Sequence, residues 1–302
     1  MNTWTRVSMA ARGRRAAALV AMLLVAACAG PAAPTATVPA PTPTASASLP
    51  GGFYLRAWVT QALAPRFSFA LVPVLTIAEG VLIEGNVAVP AIYPAPLLLQ
   101  LIGHTISDAG SSAIVDEARR QGLLDTVTDF TGGQMAPGGQ LAHLEMVVDG
   151  RHYLLIGDPT RIVRCGATRC IPQPGTPEAF AAFWARFTDV ALWLVMDVGP
   201  AAPYDPARLG VLAVTPETAE APIQPGRAAW PLDRAFSIWG TAFGGSETDR
   251  CGTVSGDDQA RLLPALRSAN ALTRFIDTAG AERSLVIRPV VPGEPDPCLL
   301  GG

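Results

Sequence analysis

The chain contains no lysine. Its 22 basic residues are all arginine, and charged residues of either sign make up only 16 % of its length. A nucleic-acid surface demands a basic stripe that displaces condensed counterions. Those arginines face 25 acidic residues and form no such stripe, so nucleic acid is excluded as an expected partner. A GC-rich coding sequence accounts for the choice of arginine over lysine. Without lysine there is no phosphate loop G-x-x-x-x-G-K-[ST] and no S-x-x-K nucleophile. G-x-S-x-G is missing too, since Gly244-Gly245-Ser246-Glu247-Thr248 fails at its last position. H-E-x-x-H does not occur, and the only histidines are His104, His143 and His152. No motif calls for a cofactor. These absences make a non-catalytic binding or structural module the expected function, with a protein or glycan partner that the sequence does not identify.

Apolar runs long enough to cross a bilayer of about 30 Å are scarce as well. The clearest one, Ala16 to Ala27 (AAALVAMLLVAA), is too short for that and follows a stretch with Arg6, Arg12, Arg14 and Arg15 and no acid. A basic start, a short apolar run and small residues before a cut describe a secretory signal peptide, here residues 1–27. Arg14-Arg15 lacks the flanking residues of twin-arginine export. With these four arginines removed, 18 basic residues stand against 25 acidic ones, a net charge of −7.

Val25-Ala26-Ala27-Cys28 resembles the lipobox of bacterial lipoproteins. That resemblance implies a diacylglyceryl group on the Cys28 sulfur, cleavage before Cys28 and N-acylation. Several acyl chains hold a protein stably, each buried methylene contributing about 0.8 kcal/mol. Residues 29–52 (AGPAAPTATVPAPTPTASASLPGG) carry no charge and no aromatic ring. Such a composition cannot bury enough surface to order itself, and its prolines favour an extended chain of about 3.1 Å per residue. The expected layout is therefore a signal peptide over 1–27, a lipidated Cys28 with a linker to residue 52, and a globular domain over 53–302. The expected localisation is extracytoplasmic, with the membrane engaged through the lipid.

Setting Cys28 aside leaves Cys165, Cys170, Cys251 and Cys298. An even number in an exported chain reads as two disulfides, and three pairings are formally open. The preferred one joins Cys165 to Cys170 and Cys251 to Cys298. A redox role for Cys165-Gly-Ala-Thr-Arg-Cys170, beside Arg164 and Arg169, meets the objection that the spacing is not C-x-x-C.

Within 53–302, 49 % apolar content over the whole chain excludes global disorder, while 28 Pro and 29 Gly argue against a coiled coil, helical bundle or solenoid. The pattern predicts α+β, with mostly antiparallel hairpins alternating with three helices. One hairpin runs LVPVLTI to VLIEGNVAV around Ala78-Glu79-Gly80. Ser107 caps a helix over 108–121 that ends at Gly122. Asp129 to Gln140 reads as a Gly-rich loop. EMVV and RHYLLI flank Asp149-Gly150, a preferred two-residue hairpin turn. That turn places Leu144, Met146, Val148, Tyr153 and Leu155 on a core face, with His143, Glu145, Val147, His152, Leu154 and Ile156 on the other. Thr176-Pro177 opens a helix whose Phe180, Phe183, Phe187, Ala191 and Leu194 form a core stripe. Leu209 to Val214 reads as a buried strand. Ser255 with Asp258 resembles a capping box for a helix over 256–270, with Asp257 and Arg261 paired four apart and Pro264 kinking or dividing the helix. A last hairpin runs Leu272–Asp277 to Ser284–Val291.

The lipobox, the stalk and the stretch RSANALTRFIDTAGAERSLVIRPVVPGEPDPC together resemble uncharacterised bacterial lipoproteins. The resemblance implies no activity and assigns no residue beyond Cys28. Weak candidates for chemistry are His143, Glu145, His152 and Asp129, since Glu145 and His152 are diagonal neighbours on the predicted hairpin. They define the alternative function, an envelope hydrolase with a His/carboxylate site. A His–Glu hydrogen bond on a half-exposed sheet face is the simpler reading. Asp125-Thr-Val-Thr-Asp129 before Gly132-Gly133 lacks the alternating acids and closing Glu of a calcium loop. Solvation and capping account for Asp257/Asp258 and Glu294/Asp296.

Overall fold

The computed structural model describes residues 53–60, 65–85, 93–133, 139–161, 171–216 and 225–301. Fourteen strands and five helices occur among them, and the class is α+β. The first sheet contains β1 (Tyr54–Thr60), β2 (Leu75–Ala78), β3 (Val81–Glu84), β4 (Leu101–Thr105), β5 (Asp129–Phe130), β6 (Leu141–Val148), β7 (Arg151–Gly157) and β8 (Ala202–Tyr204). Its spatial order is β5-β7-β6-β1-β2-β3-β4-β8. The second contains β9 (Arg208–Val214), β10 (Arg227–Ala229), β11 (Thr241–Phe243), β12 (Ser246–Ser255), β13 (Arg274–Ile276) and β14 (Glu282–Val290), in the order β10-β13-β14-β9-β12-β11. All pairings are antiparallel except β5 with β7 and β10 with β13.

The helices are α1 (Pro65–Ala70), α2 (Asp108–Arg120), α3 (Pro177–Thr188), α4 (Val190–Trp193) and α5 (Gly256–Ser268). Residues of α2 and α3 cover one face of the first sheet. Ile114, Val115 and Ala118 of the former, with Phe180, Phe183 and Phe187 of the latter, pack on Leu55, Leu144, Met146 and Leu155. Leu262 and Leu266 of α5 pack with Trp230, Phe236 and Trp239 on Leu209, Val211, Phe275 and Ile287 of the second sheet. The opposite face of that sheet meets Phe69 of α1 and the disulfide Cys251–Cys298.

Local chemistry explains the long helices. The Ser107 hydroxyl accepts the Gly110 N–H at 3.0 Å, and Gly122 takes the left-handed conformation (φ 67°) that stops the helix. Thr176 caps α3 in the same way, with Pro177 in the first turn. The β6–β7 hairpin turns at Asp149 and Gly150, both at positive φ, as a two-residue primed turn requires. Its core face buries Leu144, Met146, Val148 and Leu155, and half-buries Tyr153.

Several details differ from the sequence reading. Five helices, not three, occur among the described residues, because α1 occupies Pro65–Ala70 just ahead of the predicted hairpin and α4 is a separate turn carrying Ala191. Asp129–Phe130 is a short parallel strand and not loop; its fully buried Phe130 stacks on Phe180 and ties that residue pair to β7. Ser255 makes no side-chain cap bond to α5. Arg261 meets Asp233 at 2.9 Å and Asp258 at 3.4 Å. Pro264 does not divide α5, because the flanking Leu262 and Leu266 are both fully buried and hold the helix through the missing N–H. Glu294 is no solvated loop acid, being buried against Arg288. Cys165 and Cys170, with Arg164 and Arg169, lie outside the described residues.

Asp277 closes the turn between β13 and β14. Its carboxylate accepts the N–H groups of Phe236 (2.7 Å), Ala281 (2.8 Å) and Ala279 (3.0 Å). Burial pushes this carboxyl up, but the three donors outweigh it and hold it below the usual carboxylate range. A depressed folded-state value means the stabilisation is complete above the unfolded value of about 3.9 and is lost as pH falls through the folded value. Asp277→Ala should therefore cost about 2–3 kcal/mol at pH 7, having left buried donors unpaired. The gap from wild type should narrow below about pH 4, as the wild-type carboxylate itself protonates. Urea unfolding at pH 7 and pH 3 measures both; equal losses at the two values would refute the charged acceptor.

Candidate functional site

The four sequence-predicted residues do not converge. Glu145 and His152 do meet, as the hairpin register requires: Glu145 pairs across from Leu154 and Val147 from His152, so the two acidic and basic groups are diagonal. His152 Nε2 lies 2.9 Å from Glu145 Oε1. The other carboxylate oxygen faces inward, 2.7 Å from an Arg56 guanidinium nitrogen on β1. Both Arg56 and Glu145 are buried, whereas His152 is half-exposed. Both carboxylate oxygens are thus engaged, one by Arg56 and one by His152, and the histidine is turned to solvent.

His143 goes elsewhere. It sits across from Trp58 on β1, and the two rings stack at 5.0 Å with 7° between planes. Its Nε2 is 2.8 Å from the Thr60 hydroxyl. Burial pushes this imidazole below its usual range, so it is neutral at pH 7. The Arg56 guanidinium lies 4.5 Å from the Trp58 ring centre, giving an arginine–tryptophan–histidine row on this sheet face.

Asp129 is separate again. It lies two strands away from His143, with Ile156 of β7 between them in the ladder. Its carboxylate is used locally, accepting the Thr131 N–H at 2.8 Å and hydroxyl at 2.7 Å, and these donors hold it below the usual carboxylate range. No family model, curated protein or solved structure matches this chain. What these residues can do follows from their own chemistry. Among the described residues, no three His, Cys, Asp or Glu side chains are placed to hold a metal ion.

The sequence missed one histidine–carboxylate pair. His104 on β4 is a diagonal neighbour of Glu84 on β3, with Nε2 3.4 Å from the carboxylate. Its Nδ1 faces the Gly199 carbonyl at 2.9 Å, which can only accept, so Nδ1 carries the proton. The long connection between β3 and β4 conceals this register, and no local motif signals it.

An open groove of about 1070 Å³ lies at one end of the first sheet. It runs between α2 and the strand ends, with Phe53, Glu79, Asp108, Arg119, Asp149 and His152 on its walls. Arg119 is engaged with Asp116 and Asp149 at 3.2 and 2.8 Å. The groove is open, and its charged side chains are mostly acidic: Glu79, Asp108, Asp116 and Asp149 against Arg119.

A second network lies at the junction of the sheets. Arg288 on β14 pairs with Glu294, and the Arg288 Nη1 donates to the Phe69 carbonyl at 3.3 Å. Burial pushes the Glu294 carboxyl up, against the pull of the Arg288 and Arg56 charges, and pushes the Arg288 guanidinium down. The Tyr54 phenol is raised, chiefly by burial. Two arginines, Arg56 and Arg288, thus face two glutamates, Glu145 and Glu294, in a charge-balanced cluster. Its position between the sheets is that of a structural tie.

Proposed function

We propose that this chain is a lipid-anchored extracytoplasmic protein whose folded body acts as a non-catalytic binding or structural module at the cell envelope. Residues 1–27 serve as its signal peptide, Cys28 carries the lipid, and residues 29–52 are the stalk. The observation that carries the reading is the order basic stretch, apolar Ala16–Ala27, Val25-Ala26-Ala27-Cys28 and an uncharged Pro/Ala/Thr/Ser tract, which together make the resemblance to bacterial lipoproteins. The Cys251–Cys298 disulfide supports it, since stable disulfides belong to oxidising compartments. The neutralised Glu145 supports a non-catalytic body. The hydrolase alternative draws support from one contact, neutral His143 against the Thr60 hydroxyl, which has the form of a base beside a nucleophile.

Mass spectrometry of the mature N-terminus tests the address. The expected N-terminal residue is Cys28 bearing acyl groups, and Cys28→Ser should leave the protein without them and out of the detergent phase. An acylated Cys28→Ser protein, or a native chain that retains Met1, would overturn the reading.

A further inference from the structure

We propose that the groove between α2 and the end of the first sheet holds an extended basic peptide, with a cationic side chain at each end and an apolar one between. This gives the binding-module reading above a partner class and rests on that reading.

Strand register builds the groove. Tyr54 pairs with Val147 and Leu55 with Ile77, so Phe53 enters between the β6–β7 turn at Asp149 and the β2–β3 turn at Glu79. α2 crosses these strand ends. Its start is fastened on the Glu79 side, where the Ile106 N–H donates to the Gly80 carbonyl at 2.9 Å. Its last turn is fastened on the other side by Arg119, 2.8 Å from Asp149. The walls therefore carry Glu79 and Asp108 at one end and Asp116 and Asp149 at the other, with Phe53, Ser112 and Val115 between. Phe53 and Val115 belong to the main core, and Phe53 is only half-buried.

Charge is left over at both ends. Arg119 meets both Asp116 and Asp149, one cation against two carboxylates, and the Glu145 carboxylate holds His152. Glu79 and Asp108 are exposed and have no basic partner among the described residues. Asp108 offsets the positive end of α2, which leaves Glu79 in excess. Complementarity thus demands a cationic occupant and repels an acidic one.

Distance and volume say which cation fits. Asp108 and Asp116 are eight residues apart on α2, about 12 Å at about 1.5 Å per residue. The two turns stand on either side of β1, about 10 Å apart by strand spacing. In an extended peptide, residues i and i+4 are about 13 Å apart on one face, and i+2 lies between them on that same face. A basic–x–apolar–x–basic segment therefore brings one cation to each acidic end and its apolar side chain to Phe53. The groove's volume of about 1070 Å³ exceeds the range of about 300–1,000 Å³ that holds a drug-sized molecule, so a peptide and not a small polyamine fills it.

Calorimetric titration of the full chain with the end-blocked peptide Arg-Ser-Leu-Ser-Arg tests the assignment. It should bind one to one, and more weakly as salt rises from about 0.01 to about 1 M, where exposed charges are screened within about 3 Å. Glu79→Gln with Asp108→Asn should weaken binding about tenfold through the loss of exposed ion pairing at one end. Ser112→Arg puts a cation on the exposed side of α2 in the middle of the groove and should weaken binding at least as much. Arg-Arg-Leu-Ser-Ser, with the same composition and adjacent arginines, should bind about tenfold less tightly, because only one end can then be reached. Equal binding of that peptide, or binding that neither variant alters, would mark unspecific attraction to an acidic surface and overturn the proposal, as would no binding at low salt. The mass of the mature N-terminus decides the lipid anchor separately, so an unmodified Cys28 removes the address and leaves the peptide result standing.

Discussion

Glu294→Leu should lower the unfolding free energy by about 3–5 kcal/mol, because it strands the buried Arg288 guanidinium without its carboxylate. The Glu294 side chain also accepts the Val291 N–H at 3.2 Å, and Arg208 donates to its carbonyl at 3.0 Å, so the residue shapes the turn after β14. Removing both charges with Arg288→Met and Glu294→Leu should recover most of the loss. A buried ion pair is itself near break-even against well-packed apolar side chains, since desolvation consumes its Coulombic gain. Urea unfolding of the two single variants and the double variant gives the coupling directly. Coupling should be large and favourable; additive losses would show that each charge is stabilised by something other than its partner. Arg56 and Glu145 remain in the double variant as a balanced pair, so the remaining cluster carries no net charge.

How far the sequence anticipates this molecule depends on the range of the interaction. Thr176-Pro177, Ser107 and Asp149-Gly150 set their structures through neighbours a few residues away, and a sequence window contains them. The β6–β7 register follows from two turn residues, and with it the Glu145–His152 contact. The cap at Ser255 is where local pattern misleads: Arg261 finds Asp233, distant in sequence, and the expected exchange at the helix start is not made. Arg56 is the decisive omission. It lies on β1 directly across from Glu145, and nothing near it in sequence signals that it pairs with that carboxylate. The strand order β6-β1-β2 that brings it there is set by long-range pairing, which leaves no local trace. Phe130 shows the same limit from the apolar side: one aromatic in a Gly-rich stretch gives no period, yet its burial against Phe180 makes Asp129–Phe130 a strand. The candidate chemistry was thus legible as residue types and partly as pairs, while its neutralisation was not.

Cys298→Ser should cost about 4 kcal/mol, the loop-closure entropy released when a crosslink with a sequence separation of 47 is removed from the unfolded chain. Cys298 is the better partner to change. Cys251 is fully buried on β12 among Phe69, Leu212 and Phe243, where a serine hydroxyl would add a burial cost of its own. The variant should expose one new thiol, at Cys251, when labelled after denaturation; a new thiol at Cys165 or Cys170 would refute the pairing. The denaturant slope separates the mechanism from simple loss of packing. An unfolded chain freed of the crosslink is more expanded and exposes more surface, so the slope should rise as the midpoint falls. A lower midpoint at constant slope would place the loss in the native state, where the Cys298 side chain packs on the Phe69 cluster. The β9–β12 and β9–β14 pairings do not depend on the crosslink, so the folded variant should keep them and unfold in one cooperative step.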